Sequence, residues 1–390
     1  LCRLNFIINR VWCVVLLLEC DYLLAMLKLN KSLKLILGLG ADDFASLVQK
    51  ARSFSQTSEA FARAAILKNF GEPLVIEETK SKTLGKSQVK VKIHYCGVNA
   101  SDLLICNGLY ENKPNLPCTP GFEFSGEVLE VGNKVKDIHK GDRVLCLNKD
   151  DLGGFSQECC VHEKDIWKVP NGIDFKIGAS FLDSYSTALI AFNRRAKVKP
   201  NETVLITAAA GGLGLAAVDL AANVYKAKVI AVCSTEDKAS LVRDKGAFSA
   251  IKYDRKNLIK KVNEITSGKG VNTILDAVGG DIFETALECV AHEGEIIVAG
   301  FASRKIPTIS TSELLPKSCA LIGISLGHYR TIDPEYYRQT VQDVIELYSM
   351  GLISPHISGV FPLDDINSAL KYIEDRKSTG KVVVEMNPDL

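Results

Sequence analysis

Ala208, Gly211 and Gly214 keep an AxxGxxG spacing inside residues 204–215, where an apolar run passes into small residues. Small side chains there let the backbone N–H groups of Ala210, Gly211, Gly212, Leu213 and Gly214 approach a pyrophosphate, which then rests on the positive end of the following helix. A plain structural turn is the other reading of the same glycines. The apolar runs at 228–233 and 271–278 each follow a helix-length segment, and that βαβ rhythm favours a dinucleotide site. An acidic residue for a ribose 2′-hydroxyl is expected about 20 residues after such a motif. Counting from Gly214 reaches Ser234 instead, and Glu236 and Asp237 fall in the next helix. A hydroxyl leaves room for a 2′-phosphate, and Lys238 could supply positive charge, although it also reads as a solvated helix lysine. The expected cofactor is therefore NADPH, with NADH the alternative.

These residues need a scaffold. From Glu202 onward strands are predicted at 203–208, 228–233, 247–253, 271–277, 294–300 and 319–326, with helices near 212–224, 236–245, 255–267 and 281–290. Parallel strands require such crossovers, so this half is read as a doubly wound sheet. Before it, 61–187 reads as short strands (89–95, 126–131, 143–147, 154–161) with turn signals at Gly132-Asn133 and Gly141-Asp142. A helix at 336–350 and a strand-rich end at 380–386 follow. The fold class is α/β.

The totals fit this picture. A chain of 390 residues, 47% hydrophobic and 24% charged, has the profile of a globular protein of two or more domains. A net charge of +1 with no basic block favours neither nucleic acid nor an anionic membrane. Twelve cysteines without a CxxC pair read as buried, reduced thiols. Residues 1–58 differ in character. The apolar run 11–18 is interrupted by Glu19, Asp21 and Lys28 before a membrane span could form. The lysines among leucines from Met26, then 52–57, resemble a mitochondrial leader, against which Asp42 and Asp43 count; an untranslated or disordered extension is the alternative.

Several further motifs appear in a fixed order: Gly97 to Asp102 (GVNASD), Gly108-Leu109-Tyr110, Pro120 to Gly126 (PGFEFSG), Gly132 to Val135 (GNKV) and Gly141 to Val144 (GDRV). With the strand–AAAGGLG–helix unit behind them, the chain resembles the quinone oxidoreductase branch of the medium-chain dehydrogenases/reductases. The resemblance covers roughly 62–386. It implies a GroES-like catalytic domain at 59–187, completed by 328–390, and a Rossmann domain at 188–327. It also implies homodimers paired through the last strand, here 319–326. Positions matching Ser234, Lys238 and Tyr253 line the phosphate end in related reductases. At the nicotinamide end the family pattern falls on Asn99, Tyr110 and Thr187, with Val278, Gly300 and Phe301 at strand tips. Phe301 stands where some relatives carry Asn, and Tyr110 could instead be a packed surface aromatic. His162, His292 and His328 are isolated and read as structural.

Zinc alcohol dehydrogenases of the same superfamily hold their metal with a Cys and a His at the positions of Asn99 and Phe122. An amide and a phenyl ring cannot replace them. Glu123 remains, read as a solvated or capping residue. No zinc is expected, and without a Lewis acid the favoured acceptors are quinones and activated enones, already poised to take hydride. Tyr110 and Asn99 are the expected catalytic pair. Two alternatives remain: a mitochondrial 2-enoyl thioester reductase, and a non-catalytic nucleotide-binding protein of the crystallin or RNA-attached kind.

Overall fold

The computed structural model describes residues 61–170 and 172–387, so the leader reading of 1–58 lies outside the described residues. From Ala62 onward the chain forms a compact unit built on two large sheets.

The first sheet gathers elements from both ends of the sequence. Strands β1 (Phe61–Ile66) and β2 (Val75–Lys80) form a separate ribbon. They are followed by β3 (Gln88–Val98), the short helix α1 (Ala100–Cys106), β4 (Glu123–Val131), β5 (Arg143–Leu147), β6 (Glu158–His162) and β7 (Ile166–Lys168). Helix α2 (Leu182–Ile190) then leads into the second sheet.

The second sheet is the expected parallel, doubly wound one. It contains β8 (Thr203–Ile206), α3 (Gly212–Asp219), β9 (Lys228–Cys233), α4 (Glu236–Asp244), β10 (Ser249–Lys252), α5 (Arg255–Thr266), β11 (Val271–Asp276), α6 (Gly280–Cys289), β12 (Val290–Val298) and β13 (Ala320–Gly323). Its order is β10-β9-β8-β11-β12-β13, all parallel. Val204, Leu205 and Ile206, like Val229, Ile230 and Ala231, are fully buried, as continuous apolar strands covered on both faces must be. The order reverses beside β8, so the crevice between the carboxyl ends of β8 and β11 is the topological switch point.

The chain then returns to the first sheet through α7 (Leu326–Ile332), α8 (Pro334–Ser349), β14 (Ile357–Pro362), α9 (Ile366–Glu374) and β15 (Lys381–Glu385). The seven-stranded sheet reads β14-β15-β3-β4-β5-β7, with β6 on β3. Buried Asp219 at the end of α3 ties the halves together: it accepts the Tyr185 hydroxyl at 2.6 Å and the Ser354 amide at 2.7 Å.

Some boundaries depart from the sequence reading for identifiable reasons. β3 continues to Val98 because Tyr95–Val98 pair with Glu385–Val382 of β15, a partner invisible in any local window. The predicted strand at 154–161 begins only at Glu158, since the Gly154 and Phe155 amides bond the Gly121 and Pro120 carbonyls instead. The strand expected at 319–326 stops at Gly323, and Ser325 caps α7 by accepting the His328 amide. Strands β1, β2, β7 and β14 lie outside the predicted ones; β14 carries Gly359 and ends on Pro362, which masks its pattern.

Candidate active site

The glycine loop begins where β8 ends. Ala208 adopts a φ of +44°, a left-handed conformation that bends the chain toward α3, and the Gly211 amide closes the turn on the Ala208 carbonyl at 2.8 Å. A Cβ on Gly214 would lie 2.2 Å from that carbonyl oxygen and 2.7 Å from the Ala209 Cα. Glycine is therefore required for α3 to approach the strand, and the helix N-terminus opens beside uncrowded backbone. This cradle fits the pyrophosphate of a nicotinamide dinucleotide.

The neighbouring strand tip is tied to it. Asp276, at the end of β11, accepts the Thr207 hydroxyl at 2.6 Å and the Gly279 and Val278 amides at 2.8 and 3.3 Å. Burial pushes its carboxyl above the usual range, and those donors restrain the rise. Val278, Gly300 and Phe301 lie at this rim: the Val278 carbonyl is held by the Ser303 amide and hydroxyl, and Phe301 is 41% exposed. The three residues assigned to the phosphate end make different contacts, and the Tyr253 amide donates to the Cys233 carbonyl at 2.8 Å, beside Ser234. Ser234 is exposed after β9. The Lys238 ammonium is half-buried and donates to the Arg376 carbonyl at 2.6 Å, so it is not a freely solvated lysine. The Tyr253 hydroxyl meets Thr285 Oγ1 at 3.1 Å, leaning on α6.

At the other lobe, strand register assembles a charged group. β15 pairs antiparallel to β3 with Val382 opposite Val98, and β4 pairs to β3 with Glu123 opposite Gly97. Lys381, Asn99 and Glu123 thus converge at one end of three adjacent strands. Lys381 Nζ lies 2.5 Å from Asn99 Oδ1 and 2.6 Å from Glu123 Oε2, and Asn99 Nδ2 donates to the same carboxylate oxygen at 2.9 Å. The other oxygen of Glu123 accepts the Asp183 amide in the first turn of α2 at 3.1 Å. Of the two roles foreseen for Glu123 the capping one is realised and the solvated one is overturned, because Glu123 is fully buried. A Cβ on Gly97 would sit 2.2 Å from the Ala179 carbonyl oxygen and 3.2 Å from Glu123 Oε2, so its absence leaves space for the carboxylate.

Asp102, also fully buried, accepts the Asn99 backbone N–H at 2.8 Å, while its second oxygen has no hydrogen-bond partner. Burial pushes its carboxyl up to about 7, against the pull of that N–H and of Lys381 and Lys149. Nearby, Lys149 Nζ is 2.5 Å from Asp183 Oδ1, and Thr187 donates its hydroxyl to the Asp183 carbonyl at 2.8 Å. Burial pulls the Lys149 ammonium down, but Asp183, aided by Tyr110, lifts it above its ordinary value. Tyr110 is part-buried against the same core as α2. Lys149, Asp183 and Lys381 are the site residues missed in the sequence, since nothing local distinguishes them from surface charges.

Zinc does not fit. Phe122 is 2% exposed, with the Lys149 ammonium 4.1 Å from its ring centroid, and Asn99 is already bonded at both ends of its amide. Among the described residues no group of three or more His, Cys, Asp or Glu could hold a metal. Nor, among them, is any helix long and apolar enough to cross a membrane.

Comparison with known proteins gives the family of the chain. Residues 85–171 match the family model described as alcohol dehydrogenase GroES-like domain, and 212–348 the model described as zinc-binding dehydrogenase. The quinone oxidoreductase-like protein 2 homolog of Nematostella vectensis is 46% identical over 324 residues, covering 83% of this chain and 88% of the relative. Quinone oxidoreductase-like protein 2 of Rattus norvegicus is 38% identical over 335 residues, 86% of this chain and 95% of its own. Among solved structures, Escherichia coli quinone oxidoreductase complexed with NADPH superposes with a TM-score of 0.77 at 28% identity, over 84% of this chain and 100% of that one.

Proposed function

We propose, for a chain that belongs to the quinone oxidoreductase-like protein 2 family of medium-chain dehydrogenases/reductases, that it is a zinc-independent, NADPH-dependent reductase of quinones and activated enones. The observation that carries this reading is the pairing of an uncharged glycine cradle with a cleft whose metal-ligand positions hold Asn99 and Phe122. NADPH, when bound, supplies a hydride from its nicotinamide ring. The chain's own residues place the acceptor against it. The free N–H of Asn99 and the Tyr110 hydroxyl are the donors that meet the acceptor oxygen as negative charge develops there. The hydride brings two electrons, and a single proton from Tyr110 or solvent completes the hydroquinone or the saturated carbonyl product. Most of the acceleration on this reading is positional.

The preference for NADPH is supported by the absence of a carboxylate at the end of β9, where Ser234 stands exposed and Lys238 follows. Homodimerisation is supported by the outer edge of β13, whose Ala320 and Leu321 are exposed. The leader reading makes the compartment mitochondrial; N-terminal sequencing of protein from isolated organelles tests it.

The test of function is an NADPH-oxidation screen across ortho- and para-quinones, enones and enoyl thioesters, with NADH as control and zinc content measured alongside. Turnover confined to quinones or simple enones supports the proposal. Turnover confined to enoyl thioesters replaces it with a thioester reductase, and heat protection by NADPH without any oxidation replaces it with a binding protein.

A further inference from the structure

We infer that Lys381 is a positioning residue for Asn99, locking the amide in one orientation and linking it to the nucleotide loop. The inference rests on the reading of the cleft just given. Asn99 lies between two opposite charges. Its carbonyl oxygen faces the Lys381 ammonium at 2.5 Å and its NH2 faces the Glu123 carboxylate at 2.9 Å. A flipped amide would set NH2 against ammonium and oxygen against carboxylate, so both contacts would turn repulsive. Lys381 is 5% exposed, Asn99 6% and Glu123 0%, so water does little to screen that difference. An asparagine carries two N–H donors and an oxygen with two lone pairs. With one donor committed to Glu123, the clamp leaves one N–H of fixed direction for a ligand.

The same lysine reaches the other lobe. Its Cδ lies 3.4 Å from where a Cβ on Gly212 would stand, and the amide of the preceding residue, Gly380, donates to the Ala210 carbonyl at 2.8 Å. Gly380 adopts a φ of +57°, and a Cβ there would lie 2.4 Å from the His356 carbonyl oxygen. The approach of the tail to the loop thus depends on a residue without a side chain. Residues 380–381 fasten Ala210–Gly212 and Asn99 to a common strand end, which sets where a bound dinucleotide and the Asn99 donor stand relative to each other.

Removing Lys381 alone strands a buried carboxylate, so the informative variant is the charge-balanced pair Lys381→Met/Glu123→Gln, made with and without Asn99→Ala, alongside Lys381→Arg. In the NADPH-free protein, 15N-asparagine labelling reports the Asn99 side-chain amide, assigned by its loss in Asn99→Ala. The clamp predicts that its hydrogen exchange accelerates about tenfold or more in the balanced pair and stays slow in Lys381→Arg. It also predicts that the balanced pair lowers kcat with an ortho-quinone about tenfold or more while the NADPH dissociation constant changes less than about threefold. In the Asn99→Ala background the same two changes add less than about twofold, because the residue they act through is gone. Unchanged amide exchange, or a kcat loss that persists in full without Asn99, overturns the inference. A wild-type protein that oxidises NADPH with no acceptor defeats the proposed function alone, and the amide exchange then decides the clamp by itself.

Discussion

The glycine loop and the Lys381–Asn99–Glu123 group solve opposite problems. The loop is contiguous, uncharged and made of backbone; it works through missing side chains, with a Cβ on Gly214 blocked at 2.2 Å by the Ala208 carbonyl. The charged group joins residues 24, 258 and 282 positions apart, each nearly withdrawn from water. Shape tolerates no added atom in the first case, and charge tolerates no missing partner in the second. A reductase needs both, since the dinucleotide's pyrophosphate is gripped by backbone while the reacting end is met by oriented donors.

That contrast can be broken by substitution. The largest effect belongs to the charged group: Lys381→Met leaves Glu123 buried without its cation and costs about 3–5 kcal/mol in denaturant unfolding. A loss no larger than that of an exposed pair would make the group ordinary surface electrostatics. Asp102 gives a pH signature. Its carboxyl is pushed up from 3.8 to about 7 in the folded chain, so the stability tied to its neutral form is whole below pH 3.8 and is lost as pH rises to about 7. The linked total is about 4 kcal/mol. Asp102→Asn removes this slope, and urea melts at pH 4 and pH 8 show the variant gaining on wild type at the higher pH; parallel profiles would place the titration elsewhere.

Smaller changes sharpen the division of labour. Tyr110→Phe lowers turnover about a hundredfold with NADPH affinity nearly unchanged, and unchanged turnover would remove Tyr110 from the chemistry. Gly214→Ala should do the reverse, costing about 1–3 kcal/mol through crowding of α3 against the strand and weakening NADPH binding in calorimetry. The smallest effect is expected from Lys238→Ala, a severalfold fall in NADPH affinity worth about 1 kcal/mol with NADH untouched. Equal losses for both dinucleotides would show that Lys238 serves the tail through Arg376 and not a 2′-phosphate.

The same contrast explains what could be read from the chain. The parallel sheet was legible because β8 and β9 are nearly continuous apolar runs and Ala208, Gly211 and Gly214 lie within seven residues. Asn99 and Phe122 were legible as departures from metal ligands, since each sits in a short motif. Lys381 was not, because a lysine opening an apolar strand resembles any solvated strand end. Only the register of Val382 opposite Val98 brings it to Asn99. Lys149 and Asp183 escaped for the same reason: their pairing depends on how α2 packs beside Phe122, which no local spacing encodes.

The central claim is that hydride moves from a dinucleotide on the glycine loop to an electron-poor acceptor with no metal involved. Single-turnover oxidation of NADPH by an ortho-quinone, followed in protein dialysed against a strong chelator with zinc assayed in the same sample, tests it most directly. The account predicts an undiminished rate at substoichiometric zinc. A rate abolished by the chelator and restored by added zinc would contradict it.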